Sequence, residues 1–203
     1  MIQAILFDLD GVLVNAAPWH AQAFREALQT VGVELSASEH AAWLDGLPTK
    51  EKVHRMMETR LLAPAQAARV IIEKQRRTKA LVRKLCRPDL SRQELLCALA
   101  PTYRLGCVTN CTHANATRLL EKAALRPFFP VLVTQEDAPE GKPHPALYHI
   151  ACQRLFLDPG QVAAVEDNPY GLESASQAGC HVYATTYETL TNGGLLTWLR
   201  RFA

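Results

Sequence analysis

Short apolar runs that end in acids, hydroxyls or glycine alternate with longer stretches whose apolar positions recur every three or four residues. Ala4-Ile5-Leu6-Phe7 comes first and predicts a buried strand over about 3–8. Later runs predict a strand ending at Thr109 and strands over about 131–134, 162–166 and 181–185. The spacing between them predicts helices near 113–124, 145–156 and 170–178. Ser91-Arg92-Gln93-Glu94 reads as a capping box opening the helix that leads to Thr109.

This alternation is broken once. From about residue 15 to about 86 the apolar positions keep helical spacing, as in Ala21, Phe24, Ala27, Leu28 and Val31, then Val53, Met56, Met57 and Leu61. The predicted fold is α/β: a Rossmann-like parallel sheet, covered on both faces, built from 1–14 and 87–203, with an inserted α-helical cap over 15–86.

Composition narrows the picture by exclusion. The 203 residues suffice for one sizeable core and a small accessory unit. A net charge of +2 gives no general attraction to nucleic acid or membrane. The basic run from Arg69 to Arg87 reads mainly as a solvated helix face, with Lys74, Arg76 or Lys79 able to offer a second cation to a phosphorylated ligand. The six cysteines include no Cys-x-x-Cys and read as reduced core thiols. No apolar stretch reaches membrane length and no leader precedes the first strand, so a cytoplasmic protein is expected, a monomer or weak homodimer.

The candidate chemistry gathers at strand ends. Asp8 and Asp10 are two apart on extended chain, so their side chains converge on one volume where repulsion calls for a cation or a proton. An Asp-x-Asp there also suits a solvated turn, and the choice depends on the rest of the chain. Thr109 and Asn110 end a later strand with a hydroxyl and an amide, Gly141-Lys142-Pro143 holds a lysine in a stiff loop, and Glu166-Asp167 closes another strand. Ligands of open parallel sheets bind outside the carboxyl ends of the strands, so all four segments should face one crevice.

With these segments in this order the chain resembles the haloacid dehalogenase superfamily, in the branch that includes β-phosphoglucomutase and many small-molecule phosphatases. The resemblance covers nearly the whole chain and all four family motifs. It implies that Asp8 attacks phosphorus and Asp10 acts as acid and base. It also implies that Thr109 and Lys142, with the amide of Asn110, hold the phosphate, and that Glu166 and Asp167 hold Mg²⁺ together with Asp8 and the backbone carbonyl of Asp10.

Such a site is physically consistent. Phosphoryl transfer is catalysed mainly by positioning and by stabilising charge on the three phosphoryl oxygens. A carboxylate meeting a phosphate at about 4 Å is repelled by roughly 4 kcal/mol at an effective dielectric of 20, which a metal must cancel. Asp10 has the opposite need: with an ordinary pKa of about 3.9 only about one carboxyl in a thousand carries a proton at neutral pH, so its pKa should be raised. An acid at this position disfavours dehalogenation, which has no alkoxide to protonate. The phosphonatase branch uses a cap lysine, for which Lys50, Lys52, Lys74 and Lys79 are available, but Asp8-x-Asp10 favours phosphate esters.

The cap should select the substrate. Candidates are His20, beside Trp19, Trp43 and Gly46-Leu47-Pro48-Thr49-Lys50, with Arg76 from the basic run. His20 also suits a helix surface, and Trp43 a packing role at the cap base. Thr49 or Lys50 stands where β-phosphoglucomutase has an arginine for the distal phosphate, which weakens a mutase reading. Asn15, Ala146 and Asn168 depart from common family residues without removing a catalytic group, and Cys111 should lie near the phosphate site, with possible redox sensitivity. The expected activity is Mg²⁺-dependent hydrolysis of a small phosphate monoester, a sugar phosphate above all, through a phospho-aspartate. A phosphomutase and a low-turnover regulatory or binding protein are the alternatives.

Overall fold

The computed structural model describes residues 1–44 and 47–202; Gly46, one of the proposed specificity positions, lies outside them. Two compact units are present, one formed by Met1–Asn15 with Arg87–Ala203 and the other by Ala16–Cys86.

The first unit is built on a five-stranded sheet, all parallel, in the order β3-β2-β1-β4-β5. The strands are β1 (Ala4–Phe7), β2 (Arg104–Val108), β3 (Val131–Val133), β4 (Val162–Glu166) and β5 (His181–Ala184). Every residue of β1 and β4 is buried. Successive side chains point to opposite faces, so both faces of the central strands are covered, as their unbroken apolar runs require. Leu6, Val108, Val133, Leu147, Tyr148 and Ala164 share one core cluster. The order reverses between β1 and β4, and in such sheets that point is where a crevice opens.

Among the described residues the second unit holds four helices: α1 (Ala17–Gln29), α2 (Ala37–Trp43), α3 (Thr49–Glu58) and α4 (Pro64–Leu85). Phe24, Ala27, Leu28, Val53 and Met56, from the helical spacing read in the sequence, form its core together with Val70. Leu61 breaks that expectation. α3 stops at Glu58, Arg60 takes φ +61°, and the turn exposes Leu61 and buries Leu62 in its place.

The first unit continues with α5 (Leu90–Leu99), α6 (His113–Lys122), α7 (Ala146–Leu155), α8 (Pro169–Gln177) and α9 (Gly194–Leu199). The capping box expected at Ser91 is corrected. Asp89 is the N-cap of α5, its side chain accepting from the Ser91 and Arg92 backbone, and Ser91 lies inside the helix. The basic run is largely a solvated face, since Arg69, Arg76, Lys79, Arg83 and Lys84 are exposed; Lys74 is buried. All six cysteines are thiols outside any disulfide, four of them buried. Among the described residues no helix is long and apolar enough to cross a membrane.

Candidate active site

Register places the acids. Phe7 lies opposite both Cys107 of β2 and Val165 of β4, so Asp8, the next residue, comes level with Val108 and Glu166. Its N–H donates to the Val165 carbonyl at 2.9 Å, which carries the sheet pairing up to the nucleophile candidate. Beyond it the chain turns through Gly11 at φ +93°. A Cβ there would stand 1.9 Å from Asp167 Oδ2, so glycine is required by both conformation and space.

Lys142 ties the strand ends together. It is not itself at a strand end, as its place in the series of four suggested; β3 stops at Val133, and the lysine sits nine residues later in the loop before α7. Asn110 holds that loop, accepting from Lys142 N–H at 2.9 Å and donating to the Lys142 carbonyl at 3.1 Å. The side-chain amide of Asn110 is thereby engaged with the lysine's backbone. The buried Lys142 Nζ donates to Asp8 Oδ1 at 2.6 Å, Glu166 Oε1 at 2.6 Å and the Val108 carbonyl at 2.7 Å. An ammonium has three protons, and all three are used.

The charges shift one another. Burial would push the Lys142 pKa down, but the Asp8 and Glu166 carboxylates outweigh it and hold it above the ordinary lysine range. Burial drives the Asp8 carboxyl well up, against the pull of Lys142, and repulsion from Glu166 and Asp167 adds to the rise. Asp167 is pushed up to about 6, by burial first; the hydrogen bond from Asn168 opposes this, and Glu166 reinforces it.

Thr109 is buried where β2 ends, and its Oγ1 accepts from Cys111 N–H at 3.1 Å. That contact uses one of its two lone pairs, and the hydroxyl still has a proton to donate. Asp10 Oδ2 receives the Cys111 thiol at 2.9 Å.

Two supporting residues take their roles from the structure: Tyr148, which the sequence reading missed, and Asn168, which it named only as a departure from the common family residue. Tyr148, on the buried face of α7, donates to Glu166 Oε1 at 2.5 Å, and its ring centroid lies 5.3 Å from Lys142 Nζ. A tyrosine amid the core-facing positions of a helix was the available signal, because a buried phenol must find an acceptor. Asn168 is the N-cap of α8, accepting from Gly171 N–H while its amide donates to Asp167 Oδ1 at 2.9 Å, so one side chain starts the helix and orients the acid. Gly171 has no alternative, since a Cβ would lie 2.0 Å from Glu166 Oε2.

Asp8, Glu166 and Asp167 each offer a carboxylate oxygen within 4.8 Å of the others. Glu166 Oε2 is buried and without a hydrogen-bond partner among the described residues. A set of hard oxygen donors with one buried anionic oxygen unmatched fits Mg²⁺ better than a soft metal.

The candidates from the helical unit are not gathered in this way. His20 Nδ1 meets Lys74 Nζ at 3.2 Å, joining α1 to α4. Trp43 ends α2 half-buried and packs against the unit's core. Thr49 begins α3 half-buried, Lys50 is exposed, and Arg76 is exposed and paired with Glu73 at 2.9 Å.

Known proteins resemble this chain over nearly its whole length. The phosphorylated carbohydrates phosphatase of Thermotoga maritima is 27% identical over 198 residues, 96% of this chain and 90% of that protein. A phosphoglycolate phosphatase of Cupriavidus necator is 32% identical over 193 residues, 94% and 84% of the two chains. The crystal structure of CbbY from Rhodobacter sphaeroides in complex with phosphate superposes with a TM-score of 0.80 at 28% identity, covering 92% of this chain and 87% of that one. The family described as haloacid dehalogenase-like hydrolase matches residues 5–185, from the strand before Asp8 to the end of the sheet, and the chain belongs to that family.

Proposed function

We propose that this haloacid dehalogenase-type phosphatase hydrolyses a small phosphorylated metabolite, foremost a sugar phosphate, through a phospho-Asp8 intermediate and with Mg²⁺ as cofactor. The observation that carries the reading is the buried bridge in which Lys142 Nζ stands 2.6 Å from both Asp8 and Glu166. One oxygen of Asp8 is fixed by the lysine, which leaves the other to attack phosphorus. Lys142 exchanges one of its three bonds for a phosphoryl oxygen when substrate enters, and Thr109 donates to a second. Asp10 gives a proton to the departing alcohol and then takes one from the water that cleaves the aspartyl phosphate.

Asp8, Glu166, Asp167 and the carbonyl of Asp10 would hold the metal. When bound it offsets the repulsion between the acids and the phosphate. Glu166 also keeps Lys142 in place. The helical unit would serve as the cap, with substrate choice falling to His20, Trp43, Thr49, Lys50 or Arg76. The similarity to a phosphatase of phosphorylated carbohydrates supports a sugar phosphate as first candidate.

Phosphate release from sugar phosphates, nucleotides and small organic phosphates, with Mg²⁺ and with EDTA, tests the reading. Release that needs Mg²⁺ and vanishes in Asp8→Asn is expected. Isomerisation without net release would turn the assignment to a mutase, and the absence of both would sink both readings.

A further inference from the structure

Asp10, the proposed acid and base, is touched by a residue that the scheme above leaves idle. Cys111 is half-buried, and its Sγ donates to Asp10 Oδ2 at 2.9 Å. The residue is fastened on both sides. Its N–H donates to Thr109 Oγ1 at 3.1 Å, and its carbonyl accepts from Gln135 N–H at 3.2 Å. The first contact ties it to the end of β2 and the second to the segment after β3, so the thiol is presented from a braced loop.

A carboxyl group can carry its proton on either oxygen, but only a correctly aimed O–H can serve a leaving group. A donor directed at one oxygen makes that oxygen an acceptor. With the thiol on Oδ2, the transferable proton of Asp10 belongs on Oδ1. We infer that Cys111 is a positioning residue that sets the Asp10 carboxyl with Oδ1 as its proton-carrying atom during alcohol release. The inference rests on the proposed role of Asp10. In that step an Asp8 oxygen bonds to phosphorus while the ester P–O bond breaks with its electron pair on the alcohol oxygen. The proton on Asp10 Oδ1 passes to that oxygen, and the thiol neither gains nor loses one.

The effect should depend on the leaving group. β-Glycerol phosphate releases an alkoxide that must be protonated, whereas p-nitrophenyl phosphate releases a phenolate that departs without help. The quantity to compare is kcat/KM, which covers the steps through the first P–O cleavage. Cys111→Ala should lose about five- to tenfold on glycerol phosphate, the rate equivalent of one ordinary hydrogen bond, and less than about twofold on the aryl ester. Cys111→Ser keeps an O–H donor and should return to within about threefold of the unmutated enzyme on glycerol phosphate.

Turnover of the aryl ester doubles as the check that each variant is folded. Equal losses on both esters, no loss on the alkyl ester, or a serine variant as poor as the alanine one would overturn the role of Cys111 while leaving the phosphatase standing. A sugar phosphate that the protein cleaves replaces glycerol phosphate as the alkyl ester where needed; if the unmutated protein releases phosphate with Mg²⁺ from none of these esters, the phosphatase reading fails and this inference falls with it.

Discussion

Both compact units bury cationic side chains, but in different company. In the α/β unit Lys142 is surrounded by carboxylates, with Asp8 and Glu166 on its ammonium and Asp167 adding its charge to theirs. In the helical unit the buried lysines meet imidazoles, Lys52 Nζ with His40 Nε2 at 3.1 Å and Lys74 Nζ with His20 Nδ1 at 3.2 Å. The first arrangement concentrates negative charge that the fold alone does not neutralise, as one expects where a cation and a phosphate are to be received. The second joins α2 to α3 and α1 to α4, with each lysine bridging two helices. Buried charge therefore gathers acids round a lysine at the candidate site of one unit, where Arg92, paired with Asp89, is the structural exception, and joins helices in the other.

The sharpest way to break that contrast is to remove the nucleophile. Asp8→Asn keeps the size and hydrogen-bonding shape of the side chain but cannot form an acyl phosphate, so kcat should fall by about a thousandfold or more. Steady-state phosphate release measures this, and residual turnover near the unmutated level would show that the charge cluster is not the reaction centre.

Next in size is the loss of the shared cation. Lys142→Met leaves Asp8 and Glu166 buried without compensation, and breaking a buried pair in this way costs about 3–5 kcal/mol. Urea unfolding should show it at neutral pH, with a smaller deficit in acid, where the carboxyls take up protons. Lys52→Met in the helical unit serves as the comparison. It should cost less stability and leave Mg²⁺-dependent turnover of p-nitrophenyl phosphate largely intact. Equal losses in both variants would erase the distinction between the units.

The acid cluster also predicts a pH dependence. Folding raises the Asp167 carboxyl from 3.8 to about 6, chiefly by burial, so the folded state binds its proton more tightly than the unfolded chain does. Its contribution to metal-free stability is therefore fullest below about pH 4 and is lost as the pH rises through about 6. The raised Asp8 carboxyl acts in the same direction. Mg²⁺ favours the ionised acids, so it should raise the melting temperature more at pH 7 than at pH 5 in calorimetry. Asp167→Asn should flatten the difference, and a Mg²⁺ effect that ignores pH would separate the ion from these carboxylates.

The same contrast governs what could be read before the structure. Strands announce themselves because unbroken runs such as Val162-Ala163-Ala164-Val165 suit a sheet buried on both faces, and parallel register then brings Asp8 level with Glu166. What escaped depends on side-chain reach across the fold. The Asp89 cap of α5 competes with a plausible serine two residues on, and only the folded hydrogen bonds decide between them. α9 is a six-residue helix after glycines, too short for its periodicity to stand out. In the helical unit, the distribution of Trp43, Thr49, Lys50 and Arg76 between packing and exposure follows from where each helix stops, which a period of three to four residues does not specify.

Tyr148 offers the mildest and most selective test. Its hydroxyl is the second donor on Glu166 Oε1, after Lys142, and its ring is wholly buried. Tyr148→Phe keeps the ring in the core and removes one hydrogen bond to a charged acceptor, at an expected cost of about 1.5–3 kcal/mol. Lys142 remains on the same oxygen, so the variant should fold and retain its nucleophile. The distinguishing measurement is the Mg²⁺ concentration that gives half-maximal turnover. With one donor gone, Glu166 is less firmly oriented, and that concentration should rise about tenfold, in the range seen when residues that orient metal-binding groups are lost. A stability loss without any change in Mg²⁺ requirement would make Tyr148 a core residue with a satisfied hydroxyl, and the boundary of the chemical cluster would then lie at Glu166.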